Sequence, residues 1–133
     1  LRRLYGVPVM EPHEDPLAEL VLTVLSQSTN DRNRDVAFLR LRRMVGGWDD
    51  VLAAPVEAIE EAIRPGGISK VKSQRIHDML TAIALVRTLT LSHGVGWPDC
   101  FIGATCLRLR LPLMTLNDRH FKPIRGLSVI RPY

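Results

Sequence analysis

Lys70 and Lys72 follow Gly66-Gly67 at the expected start of a helix, where ammonium groups and unpaired amides can meet a phosphate. As solvated helix-start lysines they would simply face water. Gln27 ends an apolar run and carries a neutral amide, donor and acceptor at once. It either closes that helix, with Ser28 to Asn30 capping the next, or offers its amide to a partner. Asp99 follows Pro98 at a further helix start, a place the helix dipole favours for a carboxylate on structural grounds alone. Cys100 and Cys106, with no second pair, supply neither a disulfide framework nor a four-thiolate metal or iron-sulfur site, so they read as reduced, buried thiols. His13 and His77 have no partner that the sequence reveals and read as ordinary surface or half-buried histidines.

The elements that must position these groups are mostly helices. In "EDPLAELVLTVLSQ", Asp15 can cap, Pro16 suits the first helical position and the run Leu17 to Leu25 predicts burial all round. "DRNRDVAFLRLRRMVGG" predicts an amphipathic helix with Val36, Phe38 and Leu39 on one side and Arg32, Arg40, Arg42 and Arg43 largely elsewhere. "WDDVLAAPVEAIEEAIRPGG" splits at Pro55 into two short helices, the second burying Ile59, Ala62 and Ile63. From a Ser69 cap, Val71, Ile76, Met79, Leu80 and Ile83 recur at helical spacing. After the Gly-Pro punctuation at 94–98, "PDCFIGATCLRLRL" reads as helix, and "PLMTL" and "LSVIRPY" as short strands around "NDRHFKPIRG". The expected class is mainly α with a small C-terminal α/β segment: a helical array over 1–90, then helix, strand, short helix, strand over 91–133.

With 18 Lys and Arg against 14 Asp and Glu, the formal net charge is +4 and the pI near 9.6, which permits a nucleic-acid partner without requiring one. Leu17 to Leu25 carries Glu19 and falls short of the roughly 20 residues that span a bilayer. The opening Leu1-Arg2-Arg3-Leu4, followed by prolines, lacks the apolar stretch of a signal peptide, so a cytoplasmic protein is expected.

"DPLAELVLTVLSQSTNDRNRD", followed by "IRPGGISKVKSQRI", resembles the N-terminal helical part of endonuclease III-type helix-hairpin-helix DNA glycosylases over residues 1–88. The resemblance implies base-excision repair, with damaged bases flipped out of duplex DNA. It implies that Gln27 enters the space left by the flipped base, that Thr29 and Asn30 hold its turn, and that Lys72 matches the family's lysine near the Gly67 turn, with Lys70 beside it. Such an enzyme also needs a Leu-Pro-Gly-Val-Gly hairpin, followed in lyase-active members by a lysine. Here Leu91-Ser92-His93 precedes Gly94-Val95-Gly96 and Pro98 falls on the lysine position, so the imine-forming amine is absent. Asp118-Arg119-His120 imitates the family's catalytic aspartate-x-histidine; on that match Asp118 would stabilise a developing positive sugar.

"GWPDCFIGATCLRLRLPLMTLNDRHFKPIRGLSVIRPY" resembles the C-terminal portion of PIN-domain ribonucleases, toxins of toxin-antitoxin pairs, over residues 93–133. This likeness implies that Gly94-Val95-Gly96 is a loop before a helix and not a DNA-gripping hairpin. It also implies a Mg²⁺ or Mn²⁺ site holding Asp99 and Asn117, with Asp99 catalytic, although the family's earlier metal-binding acids have no equivalent. Three functions are expected in turn. The first is a glycosylase-like protein that binds duplex DNA, with incomplete catalysis. The second is a Mg²⁺-dependent ribonuclease acting on RNA. The third is an inactive assembly module that forms a homo-oligomer or takes an antitoxin-like partner along its bare strand edges.

Overall fold

The computed structural model describes residues 15–44 and 46–133; the readings of His13 and of the N-terminal leader fall outside them. Helix α1 (Pro16–Ser26) starts as its sequence dictates, because the Asp15 carboxylate accepts from the Leu17 and Ala18 amides at 3.0 and 3.1 Å. Its other oxygen takes the Trp48 indole N–H at 2.7 Å, fastening this end of α1 to a helix 33 residues away. Burial all round does not form: Ala18, Val21 and Leu25 are buried while Leu20 is 43% exposed.

Helix α2 (Asp31–Met44) begins where Asn30 Oδ1 caps the Asn33 amide at 2.9 Å. Its buried face is Ala37 and Leu41, one turn apart, and not the expected Val36 and Leu39, which are 37% and 52% exposed. The cause is a close approach. Gly66 backs onto the Ala37 methyl, so the face with the small residue must turn inward. Phe38 is half-buried beside Trp48, and the Arg42 guanidinium lies over that indole.

Helices α3 (Trp48–Ala53) and α4 (Val56–Ile63) follow, and α4 buries Ile59, Ala62 and Ile63 as its spacing predicts. A 3₁₀ turn, Arg64–Gly66, leads into α5 (Ser69–His93). Ser69 is the first helical residue and caps nothing; Ile68 precedes it in the left-handed conformation. Ile76 and Leu80 of α5 join Val21, Leu25, Leu41, Val51, Ile59 and Ile63 in one core.

Further along α5, Leu89 enters a second core with Val95, Cys100, Phe121 and Ile124. Between α5 and α6 (Trp97–Leu109) lies Gly94-Val95-Gly96. Gly94 takes φ +67, which glycine adopts without strain, and its amide bonds to Thr90 O at 3.0 Å. Val95 is fully buried, and Thr90 Oγ1 donates to its carbonyl at 2.9 Å. The reading of a plain loop before a helix is therefore corrected in part. Helix α6 does follow, but α5 and α6 pack against each other about the bend more extensively than any other pair of elements.

The chain then forms β1 (Leu113–Met114), α7 (Asp118–Phe121) and β2 (Val129–Ile130). The strands are parallel, Leu113 opposite Val129 and Met114 opposite Ile130, joined by Leu113 N–H to Ser128 O at 2.8 Å and Thr115 N–H to Ile130 O at 3.0 Å. Seven α-helices and one small parallel pair among the described residues match the expected class. No described helix is long and apolar enough to cross a membrane.

Candidate nucleic-acid interface

Two surface turns lie side by side at one end of the first core. One links α1 to α2 and carries Gln27, Ser28, Thr29 and Asn30; Gln27 is exposed and Thr29 half-buried. Arg75 Nη1, from α5, donates to Gln27 Oε1 at 2.6 Å. That bond spends one acceptor site of the amide and joins two exposed side chains. The other turn carries Gly67 and Ile68, and a Cβ on Gly67 would stand 3.9 Å from Ser28 O.

Both turns contain non-glycine residues in the left-handed region, Ser28 at φ +52 and Ile68 at φ +47. For a β-branched side chain this costs roughly 1–2 kcal/mol, and the strained Ile68 holds its apolar side chain 57% exposed. Apolar wedges of this kind enter base steps in proteins that open duplex DNA. Ile68 and Arg75 escaped the sequence reading, because backbone strain and a contact across 48 residues leave no local signal.

Lys72 is not where its spacing puts it. Expected at the surface as a phosphate contact, it is 2% exposed, and its ammonium donates to Leu25 O at 2.8 Å and Gly66 O at 2.6 Å. Burial pushes its pKa below the ordinary lysine value. Lys70 is exposed, as expected, on the rim of a cleft of about 600 Å³ between α4, α5 and α6. Glu57, Glu60, His77 and Arg110 also line it, and Asp78 in its wall is held by Arg108 Nε at 2.7 Å and Gln74 Nε2 at 3.1 Å. Along α2, Arg32 near the first turn and Arg40 and Arg43 toward the other end of the helix are exposed with no ion pair among the described residues, whereas Arg34 is tied to Asp31 and Asp35.

In the tail, Asp99 does not cap α6. Its carboxylate meets His120 Nδ1 at 2.7 Å, and the Asn117 amide lies 3.0 Å from the same nitrogen. So short a contact needs a proton between the atoms, and which of Asp99 and Asn117 shares a hydrogen with His120 Nδ1 follows from the ring's tautomer. The fold thus brings Asp99 and Asn117 to one histidine that the sequence reading left without this role. Asp118 is engaged elsewhere, with Lys122 Nζ at 2.5 Å and Arg131 Nη1 at 3.9 Å, and the Lys122 bond holds its carboxyl below the usual range. The Asp99 and Asn117 side chains thus both stand at His120, and among the described residues no group of three or more His, Cys, Asp or Glu could hold a metal ion.

No family model matches the chain. A curated protein of Arabidopsis thaliana named "Putative DNA glycosylase" is 40% identical over 70 residues, 53% of this chain. The chain resembles a DNA glycosylase over half its length. The match spans 24% of that relative's own length. Neither comparison supports the likeness of residues 93–133 to PIN-domain ribonucleases, which rests on the motif alone. Cys100, expected as a buried thiol, is fully buried, its pKa raised first by burial and then by the Asp99 charge; Cys106 is only half-buried, and both are free.

Proposed function

We propose that this chain is a glycosylase-like module that binds duplex DNA at the paired turns, Gln27 and Ile68 entering the space of a displaced base while Lys70, Arg75 and the exposed arginines of α2 face the phosphates. The observation that carries this reading is the pairing itself. A hydrogen-bonding amide and a strained, exposed aliphatic side chain stand on adjacent turns, each fastened from behind. Such a pair suits the two needs of an opened duplex, an apolar wedge against the stack and a polar group for the orphaned base. The identity with the Arabidopsis protein supports the same partner.

Excision chemistry is incomplete on this reading. Pro98 offers no amine, and the Asp118 carboxylate is neutralised by Lys122 and Arg131. The module therefore recognises an opened site without completing a lyase step. Titration of a labelled duplex containing an abasic analogue, beside the intact duplex, tests it: preferential and salt-weakened binding is expected, and equal binding to both would refute the wedge.

A further inference from the structure

We infer that Lys72 is a positioning residue for the DNA-contacting turns, setting the distance between Gln27 and Ile68 without touching DNA; this rests on the binding reading above. Three observations carry it. First, the two acceptors of Nζ belong to the two turns in question. Leu25 O lies in the last turn of α1, two residues before Gln27, and Gly66 O lies two residues before Ile68. Second, Lys72 is 2% exposed, so its ammonium has lost its hydration, and among the described residues these two carbonyls are the partners that offset that cost. Leu25 O belongs to the negative end of a helix, which favours a cation there. Third, the turns it joins are the strained ones, with Ser28 and Ile68 both in the left-handed region. Such conformations persist only when surrounding bonds over-determine them.

One cation thus fixes two turns about forty residues apart in sequence, and Arg75, three residues on along α5, adds a second tie to the first turn through Gln27. A lysine that the sequence places at a phosphate acts from behind the interface. Its removal should uncouple the two contacts, not abolish charge attraction.

The test is a double-mutant cycle on abasic-duplex affinity with the full chain: Gln27→Ala, Ile68→Ala and the pair, each in the wild-type and Lys72→Met backgrounds. In the wild-type background the two substitutions should be non-additive by at least about threefold. In Lys72→Met they should become additive, while the slope of affinity against salt, which counts phosphate contacts, stays unchanged. Lys72→Arg, which keeps a cation of similar reach, should restore part of the coupling. Equal coupling in both backgrounds, or a salt slope that falls by about one in Lys72→Met, would overturn the inference and return Lys72 to a phosphate. Should Lys72→Met fail to fold, Lys72→Gln, a shorter neutral side chain that cannot bridge both carbonyls as a cation, is read in its place, and coupling equal to wild type in that variant would overturn it equally. A wild-type chain with no preference for the abasic duplex sinks the binding reading instead, so the two failures are distinct.

Discussion

Lys72 Nζ lies 2.8 Å from the carbonyl oxygen of Leu25, 47 residues earlier, and the bond is buried. Through it the end of α1 is held against the Gly66 turn, and the surface above presents Gln27 and Ile68 together. Replacing Lys72 by Met leaves two buried carbonyls without their donor. The expected loss of stability is about 1–3 kcal/mol, read from urea unfolding; a loss under a few tenths would show that the carbonyls find other partners.

The same lysine gives a pH signature. Its folded pKa is depressed by burial, so between that value and the ordinary lysine value near 10.4 the unfolded chain holds more protons than the folded one. Its contribution to stability is therefore smallest at lower pH and grows as pH rises through the folded value. Wild-type stability measured relative to Lys72→Met should increase from neutral pH toward pH 10; a flat difference would show that burial leaves no mark on this group.

Ile68 should show a trade between stability and recognition. Ile68→Gly removes a β-branched side chain from the left-handed region, so the folded chain should gain up to about 1 kcal/mol from relieved strain. The variant should lose its preference for an abasic duplex. Lower thermal stability in Ile68→Gly would mean that the side chain is packed, not poised.

Asp15 joins the first turn of α1 to Trp48, and the indole bond first, with the capping amides after it, holds its carboxyl below the ordinary range. Stability from this group is present above the unfolded value near 3.9 and is lost as pH falls through the depressed folded value. Asp15→Ala should cost about 1–2 kcal/mol at neutral pH, with a smaller difference from wild type at pH 2–3. Tryptophan-monitored unfolding at both pH values reads it.

In the tail, the engagement of Asp99 and Asn117 on His120 argues against a hard-cation site. Single-stranded RNA should stay intact in Mg²⁺ or Mn²⁺. Cleavage that chelation stops and Asp99→Ala abolishes would restore the metal-dependent ribonuclease.

Local signals were legible where the chemistry is local. Asp15 before Pro16, Pro55 between two short helices and the Ile59, Ala62, Ile63 stripe all formed as spacing predicts. So did the strand, short helix, strand order of the tail. What the sequence hid depends on partners far along the chain. Val36 and Leu39 outrank Ala37 in hydrophobicity, yet Gly66 admits only the small face of α2. Lysines are almost never fully buried, so nothing local announces that Lys72 finds two carbonyls inside. Asp99 follows a proline as a capping carboxylate would, but its partner is His120, 21 residues on. The bend at Gly94-Val95-Gly96 was visible as glycine punctuation, whereas the packing of α5 on α6 around it depends on Leu89, Val95, Cys100, Phe121 and Ile124 closing one core.

The most direct measurement is the affinity of the full chain for an intact and an abasic-analogue duplex at about 50 and 200 mM salt, for wild type and for Gln27→Ala with Ile68→Ala. Expected are tighter binding to the abasic duplex, weakening with salt on both, and a loss of the preference by at least about tenfold, or ~1.4 kcal/mol, in the double variant. Binding that ignores salt, or a preference that survives removal of both side chains, would contradict the paired turns as the DNA-opening surface.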